Sequence, residues 1–524
     1  MGTYINKGNS DFQDIVNHEF IDKSGLIPAI NETLNSERRY SCVTRCRRFG
    51  KSMAAKMLCA YYDWSCDSKA LFSGLAVEKD PSFNKYLNKY PTIYLDITDF
   101  TTRYRGEEIV DQIQNSIIRD LKSVFPKVPV NDSDDLMDYL YRIKETGCEC
   151  FVFIIDEWDL VLRELGGNVS VINRYVDFLR RLFKGSGSNS VFAGVYMTGI
   201  LPIKRYNTQS ALNNFREYSM VDPAYLASYY GFTEKEVEAL AQKYDVDVDI
   251  LKQWYDGYVI GDEKSIYNPY SVMEAIRRKR CKSYWATTGA YDSVKTYIQM
   301  NFDGLKDTII RMLAGDKVVV NTTKFQNDMS MVTSKDDVLT VLIHLGYLAY
   351  DESEAKCFIP NKEVADEFSN AVEETDWDQL AKVIRDSRDL LDATLACDEL
   401  SVAKGIEQAH DENTSILSYN DENSLACVLS IAYIWAKNEY VIHRELATGK
   451  GYADLVLIPR RNVNKPAIVL ELKYNKSVDS ALEQIRRKNY TSKIGEYTGE
   501  ILLVGINYDK ESKLHTCKIE KCRK

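Results

Sequence analysis

At 524 residues the chain is too long for one hydrophobic core, and its length suggests roughly three or four domains. Its 45% apolar and 27% charged residues are those of an ordinary soluble globular protein. No leader-like segment and no apolar run near the roughly 20 residues that span a bilayer is present, which excludes a membrane partner and implies a cytoplasmic location. A net charge of −10 argues against a surface that coats nucleic acid uniformly.

In chain order, Tyr40–Thr44 reads as a short strand, "RCRRFGKS" (Arg45–Ser52) as a loop, and Ser52–Tyr62 as a helix rich in Ala, Met and Leu. "PTIYLDIT" (Pro91–Thr98) is a second strand, followed by a helix over Glu107–Val124. "CFVFIIDEWD" (Cys150–Asp159) is a buried strand ending in acids, and a helix around Tyr175–Phe183 leads to a fourth strand at Ser190–Leu201. Short apolar strands alternating with helices imply a mostly parallel sheet covered on both faces.

Residues from about 220 to 375 read as mainly helical. Thr333 or Ser334 can cap a helix to Leu345, Gly346 can end it in a left-handed turn, and Tyr347–Tyr350 and Lys356–Ile359 follow as a hairpin. That plan suits a winged-helix module or a generic helical lid. Residues 364–415 are acidic and helical, and "QAHDENTSILSYNDENS" reads as a connection. A helix from Ser424 then precedes strands at Tyr440–Leu446, Ala453–Ile458, Ala467–Leu472 and Ile501–Asn507, with a helix around Ser480–Tyr490 between the last two. The expected divisions are 1–220, 221–375, 376–423 and 424–524.

The twelve cysteines form no C-x-x-C pair and no group with the five histidines, so a structural zinc site is not expected. From Val441 onward there are 17 Lys and Arg against 10 Asp and Glu, a balance of +7 that leaves −17 for the rest. The tail includes Arg486, Arg487 and Lys488 and closes with Lys521, Arg523 and Lys524. An anionic partner would explain this asymmetry, and so would a solvated basic face.

The loop ends as a phosphate-binding loop does, although Arg45 stands where the pattern G-x-x-x-x-G-K-[ST] has its first glycine. Gly50 lets the backbone approach phosphates, Lys51 adds positive charge, and the Ser52 hydroxyl suits magnesium. Arg47, Arg48, Phe49 and Met53 complete the expected nucleotide-binding stretch. An arginine at the first position is costly only if its backbone must take positive φ. Downstream, Asp156 would hold magnesium, Glu157 would polarise the attacking water, and Thr198 would sense the γ-phosphate. ATP and Mg2+ are the implied ligands. Arg205 is a candidate arginine finger or a surface residue.

"IDKSGLI", "CRRFGKSMAAKMLCAYY", "FIIDEWD", "MTGILPIKRYNTQSALNNF", "WYDGY" and "YNPYSV" resemble the bacterial AAA-ATPase-like family over nearly the whole chain. The resemblance implies an N-terminal P-loop NTPase fold, an arginine-rich phosphate loop in which Arg45 is a family trait, and a C-terminal α/β domain of the PD-(D/E)XK nuclease superfamily. The fold class is then α/β, with a helical region in the middle.

In "GYADLVLIPRRNVNKPAIVLELKYN", Asp454 begins one strand and Glu471, Leu472 and Lys473 end another. Alternation sets Glu471 and Lys473 on one face, with Leu472 turned into the core. A hairpin would bring Asp454 beside Glu471, and two carboxylates plus a lysine suit metal-dependent phosphodiester cleavage. Gln484 and Arg486–Lys488 lie on the following helix, and Glu422 is a further candidate acid. DNA or RNA would be the partner. The other reading is a surface salt-bridge cluster of Glu471 with Lys473 or Lys476.

Overall fold

The computed structural model describes residues 2–129, 131, 134–165, 167–185, 187–203, 212–285, 296–298, 300, 302, 304–313, 315–323, 325, 332–373, 378–413, 428–429, 432–447, 452–459, 465–487, 497 and 499–523. For 307, 372–373, 378–385, 412–413, 437–438, 444–447, 452–454 and 523 it describes the backbone alone. Two compact units result: residues 1–290, 302–304 and 318–364 form the first, and 291–301, 305–317 and 365–524 the second.

The first unit is built on strands β1 (Tyr40–Thr44), β2 (Thr92–Asp96), β3 (Phe151–Asp156), β4 (Phe192–Gly199) and β5 (Arg216–Tyr218), all parallel, in the order β2-β3-β4-β1-β5. Helices α1 (Lys51–Tyr62), α2 (Glu108–Val124), α3 (Leu136–Glu145), α4 (Leu160–Glu164) and α5 (Val169–Lys184) connect them. Alternation along β3 shows why these strands are apolar throughout. Phe151, Phe153 and Ile155 enter a core with α2, α3 and α5, whereas Val152 and Ile154 enter the opposite core with α1. The small residues Ala54, Ala55 and Ala60 of α1 belong to that second core. Strand β5 was not expected from the sequence; Arg216 is exposed and only Tyr218 of its three residues is buried.

The middle of the first unit holds more strand than its aromatic, helix-like sequence suggests. Strands β6 (Phe232–Thr233), β7 (Tyr258–Ile260) and β8 (Glu263–Tyr267) form a small antiparallel sheet around helices α6 (Glu234–Tyr244), α7 (Val248–Tyr255) and α8 (Pro269–Arg278). Next come β9 (Val318–Val319), α9 (Lys335–Leu345), β10 (Ala349–Asp351) and β11 (Lys356–Phe358). Ser334 caps α9 by accepting from Asp337 N at 3.2 Å, and Gly346 ends it at φ +89°. The expected hairpin forms with Tyr350 opposite Cys357, and β9 adds a third strand.

In the second unit, α10 (Lys362–Glu373, whose first residues lie in the first unit), α11 (Asp378–Leu395) and α12 (Glu399–Asn413) lead to a mixed sheet. Its strands are β12 (Tyr440–Ala447), β13 (Tyr452–Pro459), β14 (Ala467–Tyr474), β15 (Glu500–Tyr508) and β16 (His515–Arg523), in sequence order; only β14 and β15 pair in parallel. Helix α13 (Val478–Arg487) crosses between those two. The acidic stretch expected as a connection does more than connect. Leu390 and Leu391 of α11 and Val402 and Ile406 of α12 pack on Leu470, Leu472, Val504 and Ile506 of the sheet. The last strand, β16, pairs with β15 where the sequence suggests only a basic tail. Most of the helix expected from Ser424 lies outside the described residues.

Candidate functional site

Because the first sheet is parallel, the C-terminal ends of β1, β3 and β4 meet at one edge. Val43 lies beside Thr198 and Ile155 beside Met197, so the register brings the phosphate loop, Asp156 and Thr198 together. The left-handed residues of the loop are Arg48 (φ 68°) and Gly50 (φ 89°), and Arg45 is not among them. A Cβ at Gly50 would meet nothing within 4 Å, so glycine serves the backbone angle there and not a close approach. A left-handed glycine followed by the start of a twelve-residue helix is an arrangement whose free N–H groups suit an anion.

The Arg45 side chain is fully buried beneath this loop. Its Nη1 donates to Thr44 O at 2.9 Å, Tyr218 O at 2.8 Å and Ser219 O at 3.0 Å, tying the exit of β1 to the end of β5. The guanidinium also lies 5.2 Å from the Tyr230 ring centre. Nε and Nη2 have no hydrogen-bond partner among the described residues. Burial pulls its pKa down to about 10, which still leaves it charged at neutral pH. The departure from the usual loop pattern is therefore a structural clamp.

Lys51 is 4% exposed; its Nζ donates to Cys46 O at 3.0 Å and lies 4.0 Å from Glu157 Oε1. Asp156 is buried, accepting from Tyr94 OH at 3.3 Å and from the Thr198 hydroxyl. Thr198, expected to sense a phosphate, thus holds Asp156, and it also accepts from Glu157 N at 3.4 Å. Glu157 has a left-handed backbone, φ 55°, and its carboxylate is ion-paired to Arg163. Ser52 and Met53 are exposed on the first turn of α1. Arg48 lies 4.9 Å from the Tyr270 ring centre, and Phe49 is buried against Tyr258 at 5.2 Å between ring centres. Arg47 is partly buried in the same loop. The donors fit a magnesium-bound triphosphate: a lysine, a hydroxyl, two carboxylates and a left-handed loop at a helix start. Arg205 lies outside the described residues.

Sequence reasoning missed Arg163, Tyr94 and the packing of the middle region on the loop. The spacing Asp159–Arg163 was visible, but an i,i+4 pair is too common to single out.

On the C-terminal sheet, Glu471 is 1% and Lys473 7% exposed, and Lys473 Nζ lies 2.9 Å from Glu471 Oε1. Leu472 enters the core under α11 and α12, as alternation requires. Val456 and Val469 belong to the opposite core, with Leu482 and Ile485 of α13. Glu471 and Lys473 share that α13 face by the two-residue period. Strands β13 and β14 pair with Leu455 opposite Leu470, Val456 opposite Val469 and Leu457 opposite Ile468, the ladder beginning at the residue after Asp454 and ending at the residue before Glu471. Across the parallel pair, Glu471 faces Gly505, where a Cβ would come 2.8 Å from Val478 O. Glycine there lets α13 approach the sheet. Gln484 is partly buried on α13. Arg486 is ion-paired to Glu520, and Lys518 to Asp479 at 2.7 Å, so part of the basic charge is locally compensated. Among the described residues no three His, Cys, Asp or Glu side chains gather as metal ligands. Glu422, Lys488 and Lys524 lie outside the described residues. No helix among the described residues is long and apolar enough to cross a membrane.

A family model described as predicted AAA-ATPase matches residues 6–208, and one described as PD-(D/E)XK nuclease superfamily matches residues 420–517. An uncharacterized protein from the vnfD 5′ region of Azotobacter chroococcum mcd 1 is 22% identical over 517 residues, covering 94% of this chain and 93% of that protein. Among solved structures, a DNA replication initiation factor covers 57% of this chain and 72% of its own at 9% identity and TM-score 0.24. The Aeropyrum pernix ORC2 protein, in ADPNP–ADP complexes, covers 68% and 97% at 11% identity and TM-score 0.30. Likenesses at such TM-scores do not fix a fold. The chain carries an AAA-ATPase-like domain and a PD-(D/E)XK nuclease superfamily domain in one polypeptide.

Proposed function

We propose that the protein is a magnesium-dependent ATPase whose nucleotide state controls a nuclease-like domain acting on DNA or RNA. The observation that carries this reading is the convergence of Lys51, Asp156 and Glu157 on the left-handed loop at one sheet edge. Backbone N–H groups at Gly50 and the first turn of α1 bind the phosphates, and Lys51 adds positive charge. Ser52 and Asp156 would hold magnesium, which when bound neutralises phosphate charge and polarises the γ-phosphorus. Glu157 orients water and takes its proton. The water oxygen bonds to the γ-phosphorus as the bond to the bridging oxygen of ADP breaks, and the proton passes on to inorganic phosphate.

In the C-terminal domain Asp454 and Glu471 would hold a divalent cation, with Lys473 orienting the hydrolytic water and Gln484 flanking the site. Within the first unit, the middle region lies directly on the phosphate loop, which supports its responding to the nucleotide. Gly231 N donates to Phe49 O at 3.1 Å, and Tyr258 packs on Phe49 while donating to Gly346 O at 2.7 Å. A second reading, a nucleotide-dependent switch with a catalytically silent platform, draws on the enclosed Glu471–Lys473 pair. Purified protein with magnesium, assayed on DNA and RNA with and without ATP, separates the two. Cleavage lost in Asp454→Ala is expected; equal cleavage by wild type and Asp454→Ala rules out the nuclease assignment.

A further inference from the structure

Glu157 is held in an unusual way. Its backbone is left-handed, a conformation that non-glycine residues adopt mainly where surroundings impose it. Trp158 N, donating to Thr198 O at 2.8 Å, fixes the turn just after it. The carboxylate is gripped through Oε2 by Arg163 Nη2, while Oε1 is left 4.0 Å from Lys51 Nζ.

Arg163 is itself immobilised. Its side chain is 9% exposed and its Nε donates to Asp159 Oδ2 at 2.9 Å. Asp159 is fully buried, and the same oxygen accepts from Ile200 N at 3.2 Å and Leu201 N at 2.8 Å, just beyond the end of β4. The planar guanidinium thus bridges two carboxylates through two of its nitrogens, a task for which a point-charge ammonium is poorly shaped. Nε is anchored to the sheet through Asp159, and Nη2 aims Glu157.

We infer that Arg163 is a positioning residue for ATP hydrolysis: it fixes Glu157 through one carboxylate oxygen and leaves the other to hold the attacking water. The inference rests on the reading of Glu157 as the water-orienting group. A flexible glutamate visits many rotamers, and a misplacement of about 1 Å at such a group costs about a hundredfold in rate. Lys51 moves toward phosphate when nucleotide binds, which clears Oε1, whereas the Arg163 contact persists because Asp159 anchors it.

Single-turnover ATP hydrolysis by the full chain tests this, with KM and thermal unfolding measured alongside. Arg163→Gln, which keeps a donor for Asp159 but not the charged fork, should lower kcat about a hundredfold with KM held within about threefold. Arg163→Lys should fall between that variant and wild type, about tenfold down. In a Glu157→Gln background Arg163→Gln should cause no further loss, because it acts through the side chain already altered. Wild-type turnover in Arg163→Gln, a rise in turnover, or a loss that multiplies on Glu157→Gln would overturn the inference. If Arg163→Gln does not fold, Arg163→Lys decides, and wild-type kcat in it refutes the role. Turnover that is absent in wild type, or unchanged in Glu157→Gln, refutes the ATPase reading itself; Glu157-dependent turnover indifferent to Arg163 refutes only this step.

Discussion

Replacing Arg45 by glycine restores the usual phosphate-loop pattern and should nevertheless damage the protein. The two Nη1 hydrogens are shared among the carbonyls of Thr44, Tyr218 and Ser219, the equivalent of two full bonds. Bonds from a charged donor contribute about 1.5–3 kcal/mol each. Against them stands the cost of a buried cation: a pKa depressed from 12.5 to about 10 corresponds to about 3 kcal/mol. The bonds win. Arg45→Gly also leaves a cavity and buried carbonyls without their donor, so a net loss of about 3–5 kcal/mol is expected. With an unfolding entropy of about 2.1 cal/mol/K per residue over the whole first unit, that is a fall in Tm of roughly 4–7 °C. Thermal unfolding with and without ATP and magnesium, together with nucleotide titration, measures both consequences. ATP should bind more weakly, because the exit of β1 is no longer tied to β5. Wild-type stability combined with tighter nucleotide binding in Arg45→Gly would show that the arginine is a tolerated defect and not a clamp.

Gly346→Ala places a Cβ 2.5 Å from the Cys46 Cβ at a φ of +89°, so it should destabilise by more than about 2 kcal/mol and weaken ATP binding about tenfold; unchanged ATP affinity in a folded variant would show that the middle region does not act on the loop. His344 and His515 are each buried, and burial lowers both pKa values from 6.5 to about 4. Their folded forms stay neutral while the unfolded chain takes up protons, so stability is full above pH 6.5 and falls as pH drops toward 4. Between pH 7 and pH 5 each should cost about 2 kcal/mol, read as a shift in the urea midpoint that His344→Gln or His515→Gln abolishes. Lys473→Met should leave nucleotide turnover intact while abolishing any metal-dependent nucleic-acid cleavage, as gel assays on both substrates would show.

What the sequence reveals follows from burial. Strands β1, β3 and β4 are apolar runs because both faces are covered, so the loop, Asp156 and Glu157 can be placed from pattern alone. The antiparallel pairing of β13 with β14, Leu455 opposite Leu470, was likewise accessible, since alternating apolar strands joined by a short connection suggest it. Strand β16 was missed although Cys517 and Ile519 alternate toward the core, because Lys518, Lys521, Arg523 and Lys524 made the stretch read as a charged tail. Arg45 looked like damage to a motif. Its partners Tyr218 and Ser219 are 173 and 174 residues away, and no local pattern reports such contacts. The same holds for Gly346 on Cys46, a close approach that only the folded chain creates.

The account stands or falls on whether the loop at Lys51 binds a triphosphate. Calorimetric titration of the full chain with ATP and magnesium should show one site per chain. Lys51→Met should lose at least about a hundredfold in affinity while melting like wild type. Equal binding by Lys51→Met and wild type, or no heat from wild type at all, would contradict it.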